Sequence, residues 1–399
     1  MISSSSSSSE DRVRLARVAL GCLAEPGRKD VFVLVADQGP EEALERLCAG
    51  AGPSAEAVRS RLADGDPWEL ARRRLREADR IGARIVIPED DEWPGARLDD
   101  LARISRPPSA SVGGAIDRDT FPPQCLWIRG AAPLAATVAN SVALVGARAS
   151  TAYGDHVAAE LAYGLVRKGY AVVSGGAFGI DAAAHRGALA GGGPTIAVLA
   201  CGVDRAYPLG HAGLLEQIAE AGLVLSEWPP GSEPLRFRFL IRNRVIAALT
   251  QGTVMVEAAA RSGSRQTLHR ALQLGRAAMA VPGQVTSATS VGCHEELRKP
   301  EVQPVASVAH VVEEVGRIGV DLAPPVLGPQ RPEDQLDEVE RRLMDAVPAH
   351  RPILCGDVAR IAGVPIRVAL AKLPALVTRG LLVERGGAYL LPAHQAGSK

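Results

Sequence analysis

Between Ser141 and Gly283, six short apolar runs alternate with stretches of helical spacing, and this alternation leaves few folds open. The runs are SVALVGAR from Ser141, YAVVSGG from Tyr170, TIAVLACG from Thr195, LVLSEWPP from Leu223, GTVMVEAAA from Gly252 and AAMAVPG from Ala277. Each is rich in apolar, mostly β-branched or small residues and closes on Gly, Pro or a small residue, the pattern of a buried strand. Strands alternating with helices predict an α/β fold, an extended Rossmann-like and mostly parallel sheet covered by helices on both faces. Ligands of such sheets gather at the carboxyl ends of the strands, so the residues just after each run are the ones to weigh.

A chain of 399 residues exceeds what one hydrophobic core usually spans, and its 47% hydrophobic content can fill two or three. Residues 1–10, with seven consecutive serines after Met1-Ile2, cannot bury anything and read as a disordered tail. Residues 11–101 carry Leu and Ala at helical spacing, broken at Pro26-Gly27, Gly39-Pro40 and Gly52-Pro53, and read as a helical N-terminal domain of the SAM or helix-hairpin-helix kind. Two further strand candidates, ARIVIP and QCLWIRG, lead into the sheet domain, placed at 102–318. A Pro- and Gly-rich linker follows at 319–336. Over 337–393, three helical segments precede a hairpin about Gly386-Gly387 and resemble a winged helix. Its third helix offers only Arg367, Lys372 and Arg379 and contains Pro374, so protein or DNA-backbone contact is favoured there over duplex reading.

The six cysteines, at 22, 48, 125, 201, 293 and 355, have no metal-ligand spacing, so no structural zinc and a reducing compartment are expected. No apolar run reaches the length of a membrane span and no signal-peptide pattern opens the chain, which makes the cytoplasm the default. Net charge is zero, so nucleic-acid affinity must come from local asymmetry. Residues 231–300 provide it, with ten Arg and Lys against four Glu.

Four groups stand out, three just after strand runs and one, Arg242-Asn243-Arg244, near an expected helix start. Gly146-Ala147-Arg148 presents an arginine on a tight turn; an ordinary turn with a surface arginine is the alternative. Ser174-Gly175-Gly176-Ala177-Phe178-Gly179-Ile180-Asp181 has no large side chain before Phe178, so its backbone N–H groups could receive an anion at the next helix start. Arg242-Asn243-Arg244 could fork phosphate oxygens while the amide meets a base or sugar; the alternative is an asparagine cap flanked by solvated arginines. Arg261-Ser262-Gly263-Ser264-Arg265 suits another phosphate, and Gly283 closes the last strand.

The ordered succession VALVGAR, VVSGGAFGIDAAAHRGAL, TIAVLACGVDRAYP, LSEWPPG, RNRVIAAL, VMVEAAARSGS and AVPG, with the later Ser290-Val291-Gly292-Cys293, resembles the DNA-processing protein A family, also called DprA or Smf. The likeness covers roughly residues 126–315. It implies a protein that binds single-stranded DNA, dimerises, shields the strand from nucleases and loads the RecA recombinase in natural transformation or homologous recombination. Carried over position by position, it implies a DNA site of Arg148, Ser174, Gly175, Arg242, Asn243, Arg244, Ser262, Gly263, Ser264 and Gly283. The sequence departs from the family where Phe178 replaces the usual arginine, at Arg265-Gln266-Thr267, and at His294 in place of asparagine. Arg265 could compensate for the lost cation, and Phe178 could stack on a base or be buried. With 4% aromatic residues, backbone electrostatics rather than stacking is expected to dominate.

The competing reading is enzymatic, a Rossmann-like nucleotide-binding enzyme of the phosphoribohydrolase type. Such enzymes carry a glutamate three residues beyond a Gly-Thr pair, where Gly263-Ser264 is here followed by Thr267, which cannot act as an acid or base near neutral pH. Glu257 reads as a structural ion pair with Arg261, and Asp181 and His185, four apart on one helical face, as scaffold. No Walker loop, cofactor or catalytic set is expected. A third reading is an adaptor whose winged helix and dimer surface matter more than its pocket.

Overall fold

The computed structural model describes residues 3–63, 65–103, 120–325, 328 and 332–392, without side chains for residues 3–9. It divides into two compact units, Met1–Ala323 and Pro324–Lys399. The first is built on a nine-stranded sheet: β1 (Ala83–Val86), β2 (Leu126–Arg129), β3 (Ser141–Val145), β4 (Ala171–Ser174), β5 (Thr195–Leu199), β6 (Leu223–Ser226), β7 (Gly252–Met255), β8 (Ala277–Ala280) and β9 (Val302–Pro304). Their order across the sheet is β1-β2-β6-β5-β4-β3-β7-β8-β9. All pairings from β6 to β9 are parallel, and only β1 with β2 and β2 with β6 are antiparallel. Strands β3 to β8 are the six central runs of the sequence; β1 and β2 are the two additional candidates. The edge strand β9, three residues containing Pro304, lacks a readable apolar run.

Both faces of the sheet are covered, which is why the parallel strands are apolar on alternate and intervening positions alike. On one face Val142, Leu144, Val172 and Val254 pack against Ala158, Leu161 and Leu165 of helix Ala152–Arg167 and Ala184 and Ala188 of helix Ile180–Ala190. On the other, Ala143, Val145, Val198 and Met255 meet Val245, Ile246 and Leu249 of helix Arg236–Leu249 and Leu268 of helix Ser264–Gln273. The chain after β3 therefore leaves to one face and the chain after β7 to the other, although these strands are neighbours. A crevice opens between their carboxyl ends.

The helices of residues 11–101 differ from a free-standing module. Strand β1 from this stretch joins the large sheet, and the helical core runs on into it, with Leu20, Leu44 and Val58 sharing one cluster with Trp127, Leu199 and Val224. The first helix spans Ser3–Leu23 and so includes most of the run expected to be disordered. Once Asp11–Leu23 is helical, each added serine needs no new nucleation and loses only about 0.5 kcal/mol of propensity. Residues 1 and 2 of that expected tail lie outside the described residues, as do 104–119 of the expected sheet domain, 326, 327 and 329–331 of the expected linker, and residue 393.

The second unit holds helices Glu338–Asp345, Cys355–Ala362 and Ile366–Thr378 and a three-stranded antiparallel sheet of β10 (Ile353–Leu354), β11 (Val383–Arg385) and β12 (Ala388–Leu390), in the order β10-β12-β11. Asp337 starts it with a reciprocal cap on Glu340. Lys372 binds Asp337 and Glu340, and Arg379 reaches Glu340 at 3.3 Å, so two of the three cations of the third helix are paired within the unit. Among the described residues, no single helix is long and apolar enough to cross a membrane.

Candidate nucleic-acid interface

The crevice between β3 and β7 is a cavity of about 560 Å³. Its walls are the turn after β3 with Arg148, the turn after β7 with Arg261 and Ser262-Gly263-Ser264, and Phe239, Arg242 and Asn243 of helix Arg236–Leu249. Glu257 fixes the two turns to each other. Its buried carboxylate accepts from the Thr151 N–H at 2.9 Å, the Thr151 hydroxyl at 2.7 Å and the Thr289 hydroxyl at 3.2 Å, while its carbonyl accepts from the Ala147 N–H at 2.7 Å. Thr151 and Thr289, rather than the expected Arg261, are thus its partners.

Six of the ten expected residues line the crevice: Arg148, Arg242, Asn243, Ser262, Gly263 and Ser264. Their roles divide by what each polar group already touches. Arg148 is exposed, with its guanidinium 5.0 Å above the Phe239 ring. Arg261 is exposed on the opposite turn. Among the described residues no carboxylate pairs with either, so both cations are available to an anion. The Ser262 and Ser264 hydroxyls lie 2.7 Å apart at the start of helix Ser264–Gln273, which has no acid in its first turn. That end of the helix carries partial positive charge, while its first N–H groups already donate within the turn, Ser264 to the Ser262 hydroxyl at 3.4 Å, Arg265 to the Ser262 carbonyl at 3.3 Å and Gln266 to the Gly263 carbonyl at 3.1 Å.

Arg242 is buried rather than projecting. Its Nη1 donates to the Gly175 carbonyl at 2.8 Å and also to the Val198 carbonyl, so it ties the carboxyl ends of β4 and β5 together. Burial pulls its pKa down to about 10, with nearby Asp181 opposing and Arg148 adding to the shift. Gly175 lies against it, and a Cβ there would sit 2.5 Å from the guanidinium and displace it. Asn243 is also held, its amide donating to the Gly263 carbonyl at 3.5 Å. Arg244 points away from the crevice and forms a 2.6 Å ion pair with Glu227, both side chains 2% exposed or less. Neither expected alternative, a phosphate fork or a cap flanked by solvated arginines, describes this pair: they are internal braces.

The glycine turn after β4 likewise differs from an open anion site. The Gly175 and Ala177 N–H groups donate to Asp181 Oδ2 at 3.1 and 3.3 Å, so the chain supplies its own anion there. Burial raises the Asp181 pKa, opposed by Arg242 and by these hydrogen bonds. His185 Nδ1 meets the Thr195 hydroxyl at 2.8 Å, and burial lowers the ring's pKa to about 3. Both residues order the scaffold. The buried Ser174 hydroxyl donates to the Leu144 carbonyl at 2.6 Å, and Gly283 packs under Ser290 with its carbonyl 3.1 Å from His294 Nε2; neither lines the crevice. Arg265 cannot replace a missing contact, because Glu296 holds it at 2.6 Å.

Phe239 and Arg261 complete the crevice although neither stood among the ten. Phe239 was recoverable from spacing alone, since it precedes Arg242 by one helical turn on a helix whose arginine was already a candidate. The basic excess of residues 231–300 is also smaller in space than in sequence. Arg238, Arg244 and Arg276 are met by Glu25, Glu227 and Asp100, acids that the fold brings from outside that window.

Comparison with known proteins settles the lineage. The family model for DNA recombination-mediator protein A matches residues 85–316, more than half of the chain. The chain belongs to the DNA recombination-mediator protein A family. A DprA relative from Mycobacterium tuberculosis strain H37Rv is 40% identical over 390 residues, 95% of this chain and 94% of its own. The DNA processing protein DprA of Streptococcus pneumoniae is 44% identical over 158 residues, covering 40% of this chain and 56% of that one. The crystal structure of DprA from Streptococcus pneumoniae superimposes with a TM-score of 0.61 at 28% identity over 77% of this chain and 98% of that one.

Proposed function

We propose that this protein binds single-stranded DNA in the β3/β7 crevice, gripping the sugar-phosphate spine with Arg148, Arg261 and the Ser262-Gly263-Ser264 turn. The observation that carries the reading is the pair of exposed arginines, without carboxylate partners among the described residues, on the two turns that line a strand-end crevice. Arg236, exposed one turn before Phe239, extends the same cationic edge. The half-buried Phe239 ring backs the Arg148 guanidinium from 5.0 Å and so holds that cation at the crevice wall. Binding without turnover fits the wall chemistry. Asp181, the one acid among the lining residues, is committed to two backbone N–H groups, and Thr267 stands where a hydrolase of this shape would need a carboxylate.

In the cell the protein acts in the cytoplasm as a homodimer that protects incoming or recombining single strands and loads RecA during transformation or homologous recombination. The DNA-processing relatives and the recombination-mediator family support this wider role. The second unit serves as a winged helix that contacts protein. Its third helix turns exposed Ile366 and Leu370 outward beside Arg367 while Lys372 and Arg379 are paired within the unit, a poor surface for a duplex backbone. Two assays on the purified full chain separate binding from chemistry. A mobility shift with oligonucleotides and no ribose phosphate released from nucleoside monophosphates is expected; steady release without a shift would select the phosphoribohydrolase reading.

A further inference from the structure

Large apolar side chains are rarely left in water as a group unless something covers them. Three lie in succession beside the crevice. Phe178, on the turn after β4, is 52% exposed; Leu209 is 82% exposed and Tyr207 42%. They form one ridge. The Tyr207 ring sits 5.4 Å from that of Phe239, which lines the crevice, and Leu209 opens the short turn Leu209–His211 that runs back to Phe178. The Phe178 ring lies within 3.8 Å of where a Cβ on Gly210 would stand, and edge-on to the His211 ring at 4.6 Å and 70°. His211 itself is buried, with Nδ1 3.0 Å from the Gly176 carbonyl. Phe178 is therefore exposed yet backed by a ring that is held in place.

We propose that the Phe178-Leu209-Tyr207 ridge is a second subsite, which takes the bases of the strand segment leaving the crevice and makes binding depend on bases as well as phosphates. This rests on the single-strand reading above. Three features select unpaired bases as the occupant. The ridge is continuous with the crevice through Phe239; its own side chains carry no charge with which to meet a phosphate; and flat apolar rings stack on bases without regard to sequence.

The test compares oligo-dT with an abasic strand of equal length, titrated at two salt concentrations against the full-length protein and its Phe178→Ala, Leu209→Ala and Phe178→Arg variants. Phe178→Ala should weaken dT binding by about tenfold, equivalent to about 1.4 kcal/mol, leave the abasic strand within about twofold, and keep the salt slope. Leu209→Ala should act in the same sense. Phe178→Arg should steepen the slope by about 0.7 and narrow the gap between the two strands. Equal weakening of both strands by Phe178→Ala, or no change in either, overturns the proposal, as does an effect confined to self-association. If the unaltered protein binds neither strand, the single-strand reading itself falls, which is a distinct result.

Discussion

Replacing arginines one at a time separates the two classes that the structure distinguishes. Arg148 and Arg261 face the crevice without acidic partners among the described residues, whereas Arg242 is bound to the Gly175 and Val198 carbonyls. Each phosphate neutralised on a single strand contributes about −0.7 to the slope of log affinity against log salt. Over a fourfold change in salt one such contact is therefore worth about 2.6-fold in affinity, and two are worth about sevenfold. Fluorescence anisotropy with labelled oligo-dT across that range reads the slope directly. Arg148→Ala and Arg261→Ala should each flatten it by about 0.7, and the double variant by about 1.4. Arg242→Ala should lower affinity through misplaced strand ends while leaving the slope near that of the parent. A flattened slope for Arg242→Ala beside unchanged slopes for Arg148→Ala and Arg261→Ala would refute the division.

Two further expectations concern buried groups that do not line the crevice. Arg244→Ala leaves Glu227 buried without its 2.6 Å partner, so urea unfolding should show a loss of about 3 to 5 kcal/mol; a near-neutral effect would remove Arg244 from the internal framework. The second is a pH effect at His185, whose pKa falls from 6.5 to about 3 through burial. The unfolded chain then binds the extra proton between those values, so this contribution is complete above pH 6.5 and declines toward pH 3, at up to about 1.4 kcal/mol per pH unit. Urea unfolding from pH 7 to pH 4 should show that component in the parent and lose it in His185→Gln; identical acid limbs would contradict it.

What the sequence disclosed follows from what is local in the physics. β3 to β8 were legible because a parallel strand buried on both faces must be a continuous apolar run, and the turns after β3 and β7 were legible because each carries small residues and arginines, whereas their adjacency came only from the sheet order. Arg244 was not, because an arginine written beside an asparagine looks the same whether it faces solvent or Glu227, and Glu227 lies 17 residues away. The glycine turn after β4 misled for a related reason: its N–H groups do take an anion, but the anion is Asp181, six residues past Gly175 in the same segment. Aromatic content is an average and says nothing of placement. Five Phe and five Tyr are few in 399 residues, yet Phe178, Tyr207 and Phe239 gather at one rim. The union of the N-terminal helices with the sheet was hidden because β1 pairs with β2 across 40-odd residues, with Ala83 opposite Arg129.

Photocrosslinking an iodouracil-substituted oligo-dT strand to the full-length protein, followed by peptide mapping, tests the central claim most directly. The account predicts adducts on the peptides that carry Phe239 and Tyr207, at the crevice and its rim. Adducts confined to residues 332–392 would contradict it.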